Sequence, residues 1–225
     1  MVRIHRSAAF RVGAAVALAT GLYGISFGAL SIAVGLSLWQ TMALSLLMFT
    51  GGSQFAFIAV LGGGGGGAAA FGAASLLGVR NAVYGMELNR LIAPRRRHIP
   101  LAAHVTIDES MATAVSQDSL PERRVGFWTA GLGIFALWNL FTAAGALLGD
   151  ALGDPQQWGL DGAAVAAFLG LLWPRLRQRD ARAVAVVCAA ATVVVIPLVP
   201  AGVPILVAAL VAAVWGWFSK QTVAP

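Results

Sequence analysis

Charge is what this chain has least of. Asp, Glu, Lys and Arg make up 11% of its 225 residues, against about 25% in a soluble domain. None of the four occurs between Arg11 and Arg80. Such a chain cannot cover a soluble surface, and the uncharged run is long enough for two or three membrane segments of roughly 20 residues each. Cysteine is almost missing too. Cys188 stands alone, which excludes an internal disulfide, and its apolar surroundings read as those of a small buried residue. There are three His and no HExxH stretch, so nothing supports a metalloenzyme. The chain is read as a non-enzyme with no cofactor.

Apolar residues fill the remainder, at 59%. A secretory signal would be followed by a soluble chain, whereas here apolar segments continue to the end, so the first is expected to be retained. The spans read Ala14–Leu36, Thr41–Leu61 interrupted at Thr50-Gly51-Gly52-Ser53, Ala68–Leu88, a weaker Pro100–Gln117, Val125–Leu148, a short Leu160–Trp173, Ala183–Val199 and Val203–Phe218. The six glycines Gly62 to Gly67 read as a flexible turn; they lack the strand-to-helix context of a phosphate loop. The fold expected is an all-α, polytopic transmembrane bundle of about six or seven spans, some broken or re-entrant. It forms a single integral membrane domain over residues 1–225.

The net charge of +6 resides in short clusters between apolar segments, a pattern that sets membrane orientation and does not suit nucleic acid. The clusters are a basic arm at 1–11, a basic loop at 90–98, Arg123/Arg124, a basic loop at 174–182 and Lys220. If all face the cytoplasm, an even number of crossings separates each pair. One of the first three apolar segments must then be re-entrant or broken, and Pro100–Gln117 must enter and leave on one side. The acidic loop 149–161 falls outside, and both termini face the cytoplasm.

Three constellations could carry chemistry. Gly51-Gly52-Ser53-Gln54 interrupts an apolar segment, and each glycine weakens a helix by about 1 kcal/mol. A break at membrane depth frees backbone groups, which is tolerated inside protein or along a cavity, where transporters hold solutes. The alternative is a glycine-rich packing face. Arg80, Asn81, Tyr84 and Glu87 form the second, with Arg80, Tyr84 and Glu87 on one helical face. They read either as an ion pair within the bundle or as a site where Arg80 meets a solute carboxylate. His104, Asp108 and Glu109 form the third, with His104 and Asp108 on one helical face. The acidic pair suits proton relay or ammonium binding, or is an interfacial helix turn. Asn139 and Asp161 read as structural.

At these sites the sequence resembles the AzlC family, large subunits of branched-chain amino acid exporters. The stretches that carry the resemblance are Gly21-Leu-Tyr-Gly-Ile-Ser-Phe-Gly28, Phe49-Thr-Gly-Gly-Ser-Gln-Phe55, Val79-Arg-Asn-Ala-Val-Tyr-Gly85, Thr106-Ile-Asp-Glu-Ser110 and Leu160-Asp161. The resemblance implies a permease of the cytoplasmic (inner) membrane that exports valine, leucine, isoleucine and possibly methionine. It also implies a small hydrophobic AzlD-type partner subunit. On this reading export is proton-coupled; Gly51, Gly52, Ser53, Gln54, Arg80 and Asn81 bind substrate, and Asp108 and Glu109 couple the proton. Phe27, Phe49 or Phe55 would line the side-chain pocket. The rivals are a transporter of another small solute and a non-transporting structural or regulatory membrane subunit.

Overall fold

The chain was analysed as a computed structural model that describes residues 7–152, 169, 172–173, 175–200 and 203–218. Every regular element among the described residues is helical. The helices are α1 (Ala8–Leu22), α2 (Gly24–Ala33), α3 (Leu38–Leu47), α4 (Gly52–Gly62), α5 (Gly67–Ile92), α6 (Ile99–His104), α7 (Asp108–Val115), α8 (Leu120–Leu152), α9 (Arg179–Val195) and α10 (Val203–Phe218). The short Leu160–Trp173 span, Asp161 and Lys220 lie outside the described residues.

Among the described residues, three helices are long and apolar enough to cross a membrane by themselves: Ala8–Ala33 (α1 and α2, jointed at Tyr23), Leu120–Gly149 and Arg179–Leu198. Helix α5 has 26 residues, about 39 Å at roughly 1.5 Å per residue, a length sufficient to cross, and carries Arg80. The first span starts earlier than its apolar run because Ser7 caps α1, its hydroxyl accepting from the Phe10 N–H at 3.1 Å. The third runs on through Arg90 to Ile92. Arg124 fastens that end: its guanidinium donates to the carbonyls of Ile92 (2.7 Å) and Ala93 (3.1 Å), which satisfies acceptors that a helix end leaves open.

Small residues set how α1–α2 meets α8. A Cβ at Gly13 would meet Thr129 and Ala130, at Gly21 Leu137, at Gly24 the Trp138 carbonyl, and at Gly28 Thr142 and Ala146. Both sets of numbers rise together, so the two spans run parallel with backbones in close approach, as small residues permit in membranes. Arg11 therefore lies at the same end as Arg123 and Arg124. Because Arg124 caps α5, the cluster following Arg90 belongs to that end too. Gly28→Ala would drive a methyl into the Thr142 carbonyl, and overpacking costs about 1–3 kcal/mol. We expect that variant to lose most monodisperse protein in size-exclusion chromatography. Gly72→Ala, with open space around it, should run as wild type.

The other two segments are re-entrant. In α6–α7, His98 packs on Trp128, His104 on Phe135, Val105 beside Gly131 and Thr113 beside Gly126. The segment goes in along α8 as far as Phe135 and returns toward the end it left. In α3–α4, Ser45 donates to Thr142 (3.4 Å), Phe49 meets Phe135, Phe55 meets Trp138, and Gly62 returns to Val34. This hairpin enters from the opposite end. The two meet at Phe135, near the middle of α8.

Each hairpin bends at a break. The first lies at Met48–Gly51, with Gly51 at φ 58° and ψ −81°; φ in this range suits glycine, which has no Cβ to clash. The second lies at Val105–Ile107, between α6 and α7. His104 and Asp108 therefore sit on different helices, and the expected shared face is corrected. Among the described residues the glycine run is a tight turn: α4 ends at Gly62, α5 starts at Gly67, and Gly63, Gly64 and Gly65 donate back to Ala59, Leu61 and Val60. Cys188 is half-buried rather than fully buried, with its thiol on the Ala208 carbonyl at 3.4 Å, where α9 packs on α10.

Candidate functional site

Where the hairpins meet, a cavity of about 670 Å³ opens. Met48, Phe49 and Thr50 of the first break line it, as do His104 and Thr106 around the second and Asn81 of α5. Its apolar wall includes Leu36, Leu44, Leu47, Phe57 and Phe71. Among the described residues, none that lines it is Asp, Glu, Lys or Arg. The pocket is therefore mostly greasy, with a few polar groups gathered at the breaks, as expected of small-molecule sites.

Those polar groups are short of partners. The Thr50 and Ser53 hydroxyls, the Gln54 amide oxygen, the Arg80 Nε and both amide atoms of Asn81 are buried without a hydrogen bond among the described residues. A buried polar group left unpaired costs about 1–3 kcal/mol, so a cluster of them beside a cavity marks a place where another molecule supplies the partners. Ser53 is fully buried, and its hydroxyl faces α5 at Gly78, one helical turn before Asn81. Gln54 staples the first break together, its amide nitrogen donating to the Leu44 carbonyl at 2.9 Å.

Both half-helices that follow a break begin at this depth, so two positive helix ends converge on it. They differ in chemistry. Helix α7 opens on Asp108 and Glu109, and its bend is closed by Ser110, whose hydroxyl donates to the Val105 carbonyl (2.8 Å) and accepts from the Ile107 N–H (3.0 Å). Helix α4 has no capping side chain and no acid in its first turn. The Gln54 N–H donates to the Gly51 carbonyl at 3.0 Å, which leaves the Gly52 and Ser53 N–H groups available to an anion.

Arg80 is tied to α7. Its Nη2 lies 2.8 Å from Asp108 Oδ2, and the Tyr84 hydroxyl donates to Asp108 Oδ1 at 2.7 Å. Of the sequence constellation, Arg80 and Tyr84 thus act together, while Glu87 points to Arg90 (3.8 Å) near the exposed end. Glu109, next to Asp108, makes no ion pair among the described residues. Asn139 donates to the Phe135 carbonyl of its own helix at 2.7 Å.

Of the three phenylalanines expected on the solute wall, Phe49 lines the cavity, edge-on to Phe135 at 5.1 Å. Phe27 and Phe55 do not; they pack on each other and on Trp138 in the core. Sequence reading did not place Thr106, Phe57 or Phe71 at the site. Thr106 falls within a recognised stretch, but the phenylalanines carry no local signal that separates them from the rest.

Full-length crossings combined with two opposed re-entrant hairpins around a central cavity define an all-α integral membrane protein of transporter type. Comparison with known proteins agrees. The AzlC protein family matches residues 15–152, and the chain belongs to that family. It is similar to an uncharacterized membrane protein of Archaeoglobus fulgidus, with 30% identity over 189 residues, covering 81% of this chain and 83% of that one. No solved structure matches.

Proposed function

We propose that the chain is the large subunit of a secondary transporter that exports branched-chain amino acids, with proton coupling, across the cytoplasmic membrane. The observation that carries this reading is the cavity at the two breaks, which sets an apolar wall against unpaired polar groups. An aliphatic amino acid has the same division between side chain and head. Its carboxylate suits the uncapped start of α4 at Gly51, Gly52, Ser53 and Gln54, as broken helices serve in other carriers. Asn81 lies at the cavity and adds a donor, and Arg80, outside the lining, adds positive field. Asp108 and Glu109 supply the carboxylates through which a proton is exchanged.

The gathering of Arg11, the cluster after Arg90 and Arg123/Arg124 at one end supports a cytoplasmic face there, with both termini cytoplasmic. A small hydrophobic AzlD-type subunit completes the transporter.

The test is efflux of preloaded, labelled leucine, valine, isoleucine and methionine from cells expressing the chain with and without the small subunit. Efflux that rises with the pair and collapses when the proton gradient is dissipated is the expected result. Correctly inserted protein that moves none of the four would overturn the reading.

A further inference from the structure

We infer that Asn81 is the specificity-determining residue of this site, its single amide reading both ends of a zwitterionic head, while Arg80 positions it without touching the solute. This deepens, and rests on, the amino-acid reading above. Asn81 lines the cavity, and its Oδ1 and Nδ2 are both buried with no partner among the described residues. A buried amide normally meets its needs within the protein. Here a complete acceptor–donor pair is left over, at the wall of a cavity whose lining carries no formal charge. The oxygen accepts from an ammonium and the nitrogen donates to a carboxylate, and the two groups of an α-amino acid sit on one carbon, a spacing that one amide can bridge.

The rest of the polar set is complementary. The Thr50 hydroxyl, also unpaired and also lining the cavity, stands one residue before the uncapped α4 terminus. Arg80 does not line the cavity. Its Nη2 is held by Asp108, which Tyr84 also grips. That clamp ties α5 to the start of α7 and so fixes the helical turn from which Asn81 projects. Recognition by neutral groups also has a specificity consequence. A site built to pair a polar group rejects an analogue lacking it much more strongly than a greasy pocket rejects a missing methylene.

The experiment is equilibrium binding of labelled leucine to the full chain purified together with its small subunit, competed by isoamylamine, which lacks the carboxylate, and by isocaproate, which lacks the amine. Wild type should bind leucine at least about tenfold more tightly than either analogue, as the loss of one buried hydrogen-bond partner implies. Asn81→Asp keeps the acceptor, loses the donor and adds a negative charge. It should weaken leucine about tenfold, strengthen isoamylamine and abolish competition by isocaproate. A purely structural role for Asn81 would lower all three together. If Asn81→Asp does not fold, Asn81→Gln shifts the same atoms by one methylene and should weaken leucine several-fold while keeping the order of the three ligands. Leucine binding with the wild-type ratio to isoamylamine in Asn81→Asp, or wild-type leucine affinity in Asn81→Gln, overturns the inference. Wild-type protein that binds no leucine overturns the amino-acid reading instead.

Discussion

An Arg80→Met chain is expected to lose leucine efflux entirely and to lose stability as well. The guanidinium contacts Asp108 at 2.8 Å with both side chains largely shielded, 31% and 16% exposed. Removing one partner of such a pair leaves an uncompensated charge, which costs about 3–5 kcal/mol when fully buried and somewhat less here. The double variant Arg80→Met/Asp108→Asn removes both charges and should recover much of the stability, read as melting temperature in detergent. It should not recover efflux, because Asn81 and the start of α7 are no longer held by the clamp and one coupling carboxylate is gone. Recovery of both stability and transport would show that the pair is dispensable for the mechanism.

Gly51→Val is the second substitution with a large expected effect. Gly51 sits at φ 58° and ψ −81°, where a β-branched residue is strongly disfavoured and strain of about 1–3 kcal/mol is typical. The strain falls on the bend that places Thr50 at the cavity and starts α4. Efflux per folded molecule should drop at least tenfold. Gly64 gives the matched comparison: its φ is also positive, at 83°, but it lies in the outer turn between α4 and α5. Gly64→Val should cost similar stability and leave efflux per folded molecule near wild type. If both variants transport equally, the first break is a packing feature.

The two breaks were unequally visible in the sequence. Paired glycines inside an apolar run announce the first, because glycine weakens a helix and tolerates positive φ. The second, at Val105-Thr106-Ile107, contains neither glycine nor proline. It forms because Ser110 closes the bend and the hairpin packs against Gly126 and Gly131 of α8, and that tertiary contact has no local mark. The i, i+4 spacing puts His104 and Asp108 on one helical face, a geometry that the bend removes. Basic clusters correctly demanded re-entrant segments, since charge is expensive in lipid wherever the chain folds. Arg80 and Asp108 stood out for the same reason, but nothing local says that they find each other across 28 residues. The apolar wall was the least legible part. Phenylalanines are abundant along the chain, and whether Phe71 or Phe55 faces the cavity depends on helix packing that hydrophobicity alone does not set.

The central claim is that the solute binds where the two hairpins meet. Cys188 is the chain's lone cysteine, so a Cys188→Ser background with Thr50→Cys puts one thiol at the first break. The deciding measurement is the rate at which a maleimide labels that thiol in reconstituted protein, with and without saturating leucine. The account predicts that leucine slows labelling several-fold while isocaproate and isoamylamine protect weakly. Unchanged labelling in protein that still transports leucine would contradict it, because the solute would then pass without occupying the break.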